Sequence, residues 1–441
     1  MPKTLVKIEF ALLLLIIAGI AWSAYFFSLH GYLPPPFFDD VHDTYMDWYN
    51  TAYWVYSQGT YTVWASIYPP ISFIFLRIFS NPACYSGDAF GARDCDKIGA
   101  VVLPLIILIN TVIAYLIYKR IEPRTAIIRA LTLALGMPML FAWERGNLVI
   151  PCLTVFMLGH GRLLKPAWAR WLCLGAAINF KIYLIATVVG SVLKRRWRQM
   201  EGYALGLFIV YLASYMIFGR GGIPLLLLNF TRFAYFPPAT SINSIQYSPT
   251  YTDILKLLKG PFPIMNFLGS RPMEAMESIF PIAMKVGELG VFACFAGVVW
   301  RPTSVPAYRL AALAMAFLLT MSTPGGYALV FLIFLVFTEE CKSPFRTIAV
   351  ISAYFLCIPG DYQLLRVIHS LKFSYLSGKT VGYNTGVSLG SFIRPAVLLI
   401  LEYALVAESL FNILRATPSG LAAEIAWRGA VGRARARLTQ V

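Results

Sequence analysis

The chain has 441 residues, of which 58% are hydrophobic and only 13% are charged. Soluble domains carry about 25% charged residues, so this composition excludes an ordinary soluble globule. The net charge is +16, but the Lys and Arg residues stand in short clusters between apolar runs, where positive charge marks the cytoplasmic side of a membrane protein. Because no soluble basic domain is present, we expect no nucleic-acid partner.

Several apolar runs are about as long as a bilayer is thick, and backbone inside a bilayer must be helical to satisfy its own hydrogen bonds. We therefore predict an all-α polytopic membrane protein with about eleven to thirteen transmembrane helices, forming one domain over residues 1–414. Basic clusters assigned to the cytoplasm set the direction of each crossing. The predicted single crossings are residues 10–27, 98–118, 125–143, 147–158, 202–218, 279–299, 310–321, 328–337, 347–356 and 392–414.

This topology places both termini in the cytoplasm and three long loops outside it. The loops cover residues 30–97, 219–277 and 359–391, and residues 415–441 form a basic cytoplasmic tail that can meet anionic lipid. Within the first loop, residues 69–79 are apolar but too short to cross, so we place them as an interfacial or re-entrant helix.

The apolar stretch 171–193 has basic residues on both flanks, Arg170 before it and residues 194–198 after it. A single crossing would put these flanks on opposite sides, so we predict a helical hairpin that turns near Asn179 and Lys181. The turn places Lys181 at or below the outer interface, where an unpaired cation is costly and is therefore a functional-site candidate. The alternative is a lysine that extends to the lipid headgroups.

The first outer loop is dense in acidic residues. If residues 40–56 form a helix at the interface, Asp40, Asp43 and Asp47 share one face at positions i, i+3 and i+7. Carboxylates this close repel one another, so at least one needs a raised pKa or a cationic or hydrogen-bonding partner. Such a carboxylate can act as general base on an acceptor hydroxyl. The alternative is a solvated polar face, and His42 beside these acids is weak support for a metal site.

Cationic and amide side chains elsewhere fall on the same outer side in this topology: Arg145, Asn147, Lys181, Arg232, Asn243 and Gln246. Opposed to carboxylates, they suit an anionic, phosphate-bearing lipid together with a hydroxylic substrate. Aromatic residues between positions 48 and 68 form either an interfacial belt or stacking platforms for sugars. Cys84 and Cys95 flank a polar stretch, and they pair as a disulfide if that stretch is extracytoplasmic or remain two free thiols.

The order of several short motifs resembles the GT-C-fold glycosyltransferases of family 87. The motifs are an acidic residue shortly after helix one, a G-x-Y and a Y-P-P element, R-G-N, a small-residue-rich helix that ends in lysine, an N-x-S-like element and an S-T-P segment. The acidic residue stands in the first loop, the G-x-Y element is at Gly59 and Tyr61, and Y-P-P covers 68–70. R-G-N covers 145–147 and the small-residue-rich helix covers 175–181. The N-x-S-like element is at 243–244 and the S-T-P segment at 322–324. The resemblance spans residues 10–337, and the family includes polyprenyl-phosphate-mannose-dependent mannosyltransferases of phosphatidylinositol mannoside synthesis.

The resemblance implies a GT-C-like bundle in the bacterial inner (cytoplasmic) membrane, with an active site that faces the periplasm or the outside. The implied reaction is an inverting transfer of one sugar, mannose-like or other, from a polyprenyl-phosphate sugar to a lipid or glycan acceptor. A first-loop aspartate would be the general base, with Asp43 favoured over Asp47 and Asp40. The implied ligands of the donor phosphate are Lys181, Arg145 and Arg232.

The remaining substrate-binding candidates are Asn147, Tyr68, Asn243, Gln246 and Tyr327. Family members often carry a histidine just after the S-P element, and here Tyr327 is the candidate substitute. The resemblance implies no metal and no other cofactor, because cationic side chains can stabilise a phosphate that leaves as part of a lipid.

Two other classes of protein are considered. A transporter or flippase of a lipid-linked sugar would share the basic and aromatic site, but it is expected to show paired repeats and broken helices in both halves. An O-antigen polymerase or ligase would show a large arginine-rich outer loop without acids near the first helix. The sequence has one hairpin, no internal symmetry and acids in the first loop, so we predict a glycosyltransferase.

Overall fold

The computed structural model describes residues 3–37, 40–235, 247–258, 269–321 and 325–416. Four features predicted from the sequence lie outside these ranges. They are Asn243, Gln246, the S-T-P segment at 322–324 and the basic tail from residue 417 onward.

The described chain is mostly helical. The helices are α1 (Lys3–His30), α2 (Met46–Tyr56), α3 (Pro70–Ile78), α4 (Ala89–Cys95), α5 (Ile98–Lys119), α6 (Ala126–Leu135), α7 (Met137–Arg145), α8 (Val149–His160), α9 (Ala167–Phe180), α10 (Val189–Leu193), α11 (Trp197–Phe218), α12 (Ile223–Tyr235), α13 (Tyr251–Leu258), α14 (Ser270–Trp300), α15 (Ala307–Met321), α16 (Leu329–Phe337), α17 (Pro344–Leu356) and α18 (Gly390–Arg415). Short 3-10 helices cover Pro82–Cys84, Ile182–Val188 and Gly326–Ala328. Between α17 and α18 the strands β1 (Gln363–Ser374) and β2 (Lys379–Ser388) pair antiparallel.

Among the described residues, six helical stretches are long and apolar enough to cross a membrane: Thr4–His30, Ile98–Lys119, Ala126–Arg145, Trp197–Phe218, Ser270–Trp300 and Gly390–Arg415. Other apolar helices have 10–17 residues, which is shorter than the roughly 20 residues that span a bilayer core. The chain is therefore a mostly helical membrane protein. The count of eleven to thirteen crossings and the sidedness of the loops stay predictions.

Burial separates helices at the rim of the bundle from helices at its centre. The apolar windows of α1, α5 and α11 are only 22%, 22% and 17% buried, whereas the stretch Ala126–Arg145 is 72% buried. Every residue of α16 is buried, as expected of a helix that is apolar on all sides. The exposed apolar faces of the rim helices suit contact with lipid, because a soluble protein rarely exposes apolar surface of this extent.

The structure bears out both local predictions of irregular membrane helices. The short helix expected within residues 69–79 is α3. The stretch 171–193 is interrupted at Lys181, whose backbone is extended (φ −141°, ψ 96°) between α9 and a 3-10 helix. Side chains from the start of α9 and from α10 line one cavity, so the chain turns back on itself near Lys181 as predicted.

The structure departs from the sequence-based expectations in three details. Residues 40–56 do not form one helix, because Tyr45 is left-handed (φ 64°) and donates its N–H to the Glu144 carbonyl at 2.8 Å, so that α2 starts at Met46. Helix α14 begins at Ser270, inside the predicted second loop and before the predicted crossing 279–299.

The third departure concerns the all-α fold class. The predicted loop 359–391 contains the β1–β2 hairpin, whose strands are rich in the β-branched and aromatic residues that favour pleated structure. The turn between the strands ends at Gly378, which has a positive φ of 67° that glycine adopts readily.

A buried ion pair fastens α1 to the rest of the bundle. Arg129 donates to both carboxylate oxygens of Glu9 at 2.9 Å, and neither side chain is exposed. Tyr354 donates its hydroxyl to the same carboxylate at 2.8 Å, and Arg129 also donates to the Phe337 carbonyl at 3.0 Å. Four separate parts of the chain therefore meet at one polar centre.

Arg129→Met is expected to destabilise the protein by about 3–5 kcal/mol, because it leaves the Glu9 carboxylate buried without its cation. The double variant Arg129→Met, Glu9→Gln should recover part of this loss. Thermal unfolding in detergent measures both effects. Lys342→Met is the control, since Lys342 pairs with Glu340 at 2.7 Å in the connection between α16 and α17 and its side chain is 79% exposed, and such pairs contribute about 0–1 kcal/mol. Equal losses for Arg129→Met and Lys342→Met would contradict the expectation.

Candidate functional site

Arg145, the last residue of α7, joins two aspartates of the first loop. Its Nη1 donates to Asp43 Oδ2 at 2.7 Å and to the Asp43 carbonyl at 3.1 Å, and its Nη2 donates to Asp47 Oδ1 at 2.6 Å. The Arg145 side chain is 11% exposed, while those of Asp43 and Asp47 are 26% and 23% exposed. The repulsion expected between the carboxylates is therefore relieved by a shared cation, and both acids still reach the surface of the site.

The R-G-N motif has a structural explanation at this point. Gly146 ends α7 in a left-handed conformation (φ 68°), and a Cβ there would lie 3.0 Å from the Trp48 side chain and the Tyr45 carbonyl. The turn directs Asn147 back to the site, where Nδ2 donates to Asp47 Oδ2 at 2.6 Å. Glycine thus allows the residues on either side of it to hold the same aspartate.

The two aspartates differ in how many of their oxygens are occupied. Asp47 accepts from Arg145 on Oδ1 and from Asn147 on Oδ2. Asp43 accepts from Arg145 on Oδ2, and no described residue donates to its Oδ1. One oxygen of Asp43 is therefore not engaged by a described residue, whereas both oxygens of Asp47 accept hydrogen bonds.

The surroundings of Asp43 also change its acidity. Burial raises the pKa of the Asp43 carboxyl above its usual value of 3.8, and the negative charges of Asp47 and Asp40 raise it further. Arg145 opposes this change through its charge and its hydrogen bond. The net direction is upward, which favours a carboxylate that takes up a proton more readily than an exposed aspartate does.

Lys181 forms the second part of the site. Its Nζ donates to the Tyr68 hydroxyl at 3.1 Å and lies 4.7 Å from the centre of the Tyr68 ring and 5.7 Å from that of Tyr327. The residue is only 8% exposed, which argues against a lysine that extends to the headgroups. No described carboxylate forms an ion pair with Lys181, so its charge is balanced only by aromatic faces and is open to an anionic ligand.

Tyr68 and Tyr327 connect the two parts of the site. Both are close enough to Asp47 and Arg145 to interact with them electrostatically, and both contact Lys181. Burial raises the pKa of Tyr68, so its hydroxyl stays protonated. Because it accepts from Lys181, the Tyr68 hydroxyl can donate its own proton to an oxygen of a bound ligand.

An apolar cavity of about 340 Å³ begins beside Lys181. Its lining includes Pro69, which follows Tyr68 in the chain, and Asn179, which belongs to the same turn as Lys181. The outer part is lined by Phe208 and Leu227, which are 57% and 58% exposed. The cavity therefore extends from residues that flank Lys181 toward the apolar rim of the bundle.

Two predicted site residues lie apart from this cluster. Asp40 pairs with Lys372 of β1 at 3.2 Å and accepts from the His42 N–H at 3.2 Å, so the hairpin engages it. Arg232 is exposed in the last turn of α12, and no described contact joins it to Arg145 or Lys181. Neither residue shares the arrangement formed by Asp43, Asp47 and Lys181.

The β1–β2 hairpin covers the first loop. The sequence analysis predicts neither the hairpin nor this contact. Tyr375 donates its N–H to the Val41 carbonyl at 3.1 Å, and the Arg93 guanidinium stacks 3.9 Å from the Tyr375 ring centre. Arg93 in turn donates to the carbonyls of His42 and Thr44 at 2.5 and 3.1 Å. The residues just before Asp43 are thus held by an element that is more than 300 positions away in the chain.

A disulfide joins Cys84 and Cys95, with 5.5 Å between their Cα atoms. Next to it, Asp96 accepts from the hydroxyls of Tyr49 and Tyr85 at 2.5 and 3.0 Å. Because Tyr49 belongs to α2, this region fixes the helix that carries Asp47.

The described residues contain no group of three His, Cys, Asp or Glu side chains that could hold a metal ion. The expectation of a reaction without metal stays a prediction. No family model, curated protein or solved structure matches this chain. The function is therefore argued from the geometry of the site.

Proposed function

We propose that the chain is a membrane glycosyltransferase that moves one sugar from a polyprenyl-phosphate sugar to a hydroxyl of a lipid or glycan acceptor. One observation carries the proposal. Asp43 is a carboxylate with an oxygen that no described residue engages, and Lys181 is a buried cation without a carboxylate partner among the described residues; Arg145, Tyr68 and Tyr327 connect the two. A general base and a phosphate-binding cation are the two groups that this reaction needs.

The proposed step begins when Asp43 Oδ1 accepts the proton of the acceptor hydroxyl. The acceptor oxygen then bonds to the anomeric carbon of the sugar, while the bond from that carbon to the phosphate oxygen breaks. The phosphate leaves with the electron pair and remains attached to its lipid. Lys181 neutralises the charge that develops on the phosphate, and the Tyr68 hydroxyl donates to one of its oxygens. Attack opposite the leaving group inverts the anomeric configuration.

Arg145 has a different part in this scheme from the one that the family resemblance implies. Its guanidinium is engaged by Asp43 and Asp47, so most of its charge is already balanced. We assign it, with Asn147, to positioning the carboxylates. The donor phosphate falls mainly to Lys181.

The lipid part of the donor has a place beside Lys181. The apolar cavity of about 340 Å³ begins at the Lys181 turn and ends at exposed apolar side chains. A polyprenyl chain whose phosphate is bound at Lys181 can enter this cavity and continue into the surrounding lipid. The cavity supports a donor with a long apolar chain over a water-soluble nucleotide sugar.

The disulfide and the basic clusters support the same orientation of the candidate site across the membrane. Disulfides persist outside the reducing cytosol, and Cys84 and Cys95 belong to the same loop as Asp43. Basic residues cluster at the opposite ends of α8 and α9, as expected for cytoplasmic ends. These features support a site that faces away from the cytoplasm, and the family resemblance implies the bacterial inner membrane with the site toward the periplasm.

The proposal is tested with purified protein in detergent, synthetic polyprenyl-phosphate sugars and a panel of hydroxylic acceptors. We expect transfer of one sugar with inversion of the anomeric configuration, detected by mass spectrometry and NMR of the product. A chain that never turns over any donor, but moves labelled lipid-linked sugar across the bilayer of proteoliposomes, would be a transporter and would overturn the proposal.

Leu207→Trp is expected to raise the KM for a long-chain donor by about tenfold, because Leu207 lines the apolar cavity and the larger side chain fills it. A donor with a short lipid chain should be much less affected. Leu205→Trp is the matched control, since Leu205 is on the same helix, is 54% exposed and does not line the cavity. Equal KM changes for long and short donors would contradict the assignment of the cavity to the lipid chain.

Sugar transfer is expected to fall at acidic pH with a midpoint above 3.8, because Asp43 must be ionised to act as base and its pKa is raised. The sign follows directly: activity is full above the raised pKa and is lost as the pH drops through it. Asp40→Asn removes a negative charge that raises this pKa, so the acidic midpoint of kcat/KM should move to lower pH. Asp94→Asn, which changes an exposed acid of the same loop, should leave the midpoint in place. A midpoint unchanged in Asp40→Asn would contradict the assignment.

A further inference from the structure

A second cavity, which is polar and basic, lies where the two arms of the Lys181 hairpin meet. Its volume is about 490 Å³. Residues from the end of α8, both ends of the hairpin and the starts of α11 and α15 line it. The lining includes four arginines and no described acidic residue: Arg162, Arg170, Arg196 and Arg198. The cavity therefore carries a concentrated positive charge that its own lining does not balance.

The four arginines have no ion-pair partner among the described residues. Arg170 donates only to backbone, to the carbonyls of Leu164 and Lys165 at 2.8 and 3.1 Å. Arg162 has a left-handed backbone (φ 56°) that residues with a side chain rarely adopt. Its carbonyl accepts from Arg120 at 3.0 Å. The four arginines therefore have no described carboxylate within ion-pair distance.

A neighbouring cavity differs from the first because acidic residues line it. It has a volume of about 560 Å³ and shares Arg162 with the first cavity. Its buried arginines have carboxylate partners, since Arg309 and Arg346 both pair with Glu339, and its exposed Lys342 pairs with Glu340 at 2.7 Å. The lining of the first cavity contains no described carboxylate that could do the same.

Neutral donors complete the lining of the basic cavity. Ser191 is a buried hydroxyl of the returning arm, and Tyr203 adds a phenol from α11, whereas the buried Thr187 hydroxyl already donates to the Leu184 carbonyl at 2.7 Å. Trp171 forms a firm wall, because it packs so closely on α11 that a Cβ at Gly202 would lie 2.3 Å from its ring. Arginines and hydroxyl groups around a small polar volume are the donors that bind phosphate oxygens.

The cavity is at the other end of the elements that build the candidate active site. Asn147 precedes α8, whose 12 residues end at His160 beside the cavity, a length of about 18 Å. From the cavity, the 14 residues of α9 lead back to Lys181, over about 21 Å. A ligand in the basic cavity is therefore distinct from one bound at Lys181.

We propose that the basic cavity binds a phosphate group, carried by an anionic lipid headgroup or by a soluble phosphate compound, on the face opposite to the candidate active site. The bound phosphate neutralises the arginines and joins the start of α9 to the start of α11. It thereby fastens the open end of the hairpin whose turn carries Lys181. The proposal does not depend on sugar transfer.

The test compares two charge-matched double variants of the full chain. Arg162→Gln, Arg196→Gln removes two cations that line the cavity, whereas Lys165→Gln, Arg195→Gln removes two cations of the same basic region that do not line it; all four residues are exposed. Binding of phosphatidylglycerol is measured by native mass spectrometry in detergent, with phosphatidylcholine as the lipid control. Binding of glycerol 3-phosphate is measured by the shift of thermal unfolding.

We expect the lining variant to bind its ligand at least about tenfold more weakly, and the control variant to stay within about twofold of the unmodified protein. Loss of phosphatidylglycerol binding alone identifies a lipid headgroup, and parallel loss of glycerol 3-phosphate binding identifies a soluble phosphate. Equal losses in the two double variants would show diffuse surface charge and overturn the proposal. The proposal is also overturned if the unmodified protein binds neither probe. Cooperative thermal unfolding serves as the folding check.

Discussion

Asp43→Asn is expected to lower kcat for sugar transfer by at least about 100-fold, because general bases contribute roughly 10²–10⁴-fold to such reactions. The amide has nearly the same shape and its oxygen can still accept from Arg145, but it cannot take up the proton of the acceptor hydroxyl. Donor binding should remain within about threefold of the unmodified protein, since Lys181 and Tyr68 are unchanged. Steady-state kinetics and a separate measurement of donor binding check the two parts.

Asp47→Asn and Asp40→Asn distinguish a base from its neighbours. Both oxygens of Asp47 hold other groups, so Asp47 acts as a positioning residue. Its replacement should lower activity less than Asp43→Asn does, and it should shift the acidic midpoint to lower pH because the Asp47 charge raises the pKa of Asp43. Asp40→Asn should keep most of the activity. Full loss in Asp47→Asn with activity kept in Asp43→Asn would exchange the two roles, and normal activity in all three would remove the acids from the mechanism.

The sequence predicts the candidate residues of the site better than it predicts the contacts among them. Asp43, Asp47, Arg145 and Asn147 were all named as candidates, because charged and amide groups are conspicuous in an apolar chain. That one arginine would hold both carboxylates depends on the turn at Gly146, which brings residues about 100 positions apart into contact. Spacing along a helix could not predict this arrangement.

Local geometry also limits what a periodic pattern can show. The spacing of Asp40, Asp43 and Asp47 suits one helical face, yet Tyr45 is left-handed and its N–H bonds to Glu144 instead of to its own helix. A contact with α7 outweighs the local preference at this point, so Asp40 turns toward Lys372 while the other two acids face Arg145. No signal in the first loop alone indicates that separation.

Lys181 was predicted for a different reason, which the structure explains. Basic residues on both flanks of 171–193 place both ends of this stretch on the cytoplasmic side. The stretch must therefore turn back within its length, and the turn is expected where the chain is least suited to continue as a helix. The pairing of Lys181 with Tyr68, however, joins positions 113 apart. By contrast, the predicted topology rests on hydropathy alone, which assigns residues 359–391 to a loop and gives no indication of the β1–β2 hairpin.

Lys181→Gln is expected to lower kcat/KM for a polyprenyl-phosphate donor by about 100-fold or more, because it removes the only described unpaired cation at the buried end of the site, where loss of one stabilising donor costs roughly 10²–10³-fold. Tyr68→Phe removes one hydroxyl and should cost less, and Lys181→Arg keeps the charge and should recover part of the activity.

The same variants separate a phosphate ligand from a residue that merely supports the fold. Lys181→Gln should weaken donor binding as well as turnover, whereas Asp43→Asn affects turnover alone, so the ratio of the two effects distinguishes the roles. Thermal unfolding in detergent verifies that each variant is folded. If folded Lys181→Gln binds and turns over the donor like the unmodified protein, Lys181 is not the phosphate ligand. If Lys181→Arg is no more active than Lys181→Gln, the shape of the lysine between the two tyrosine rings matters more than its charge.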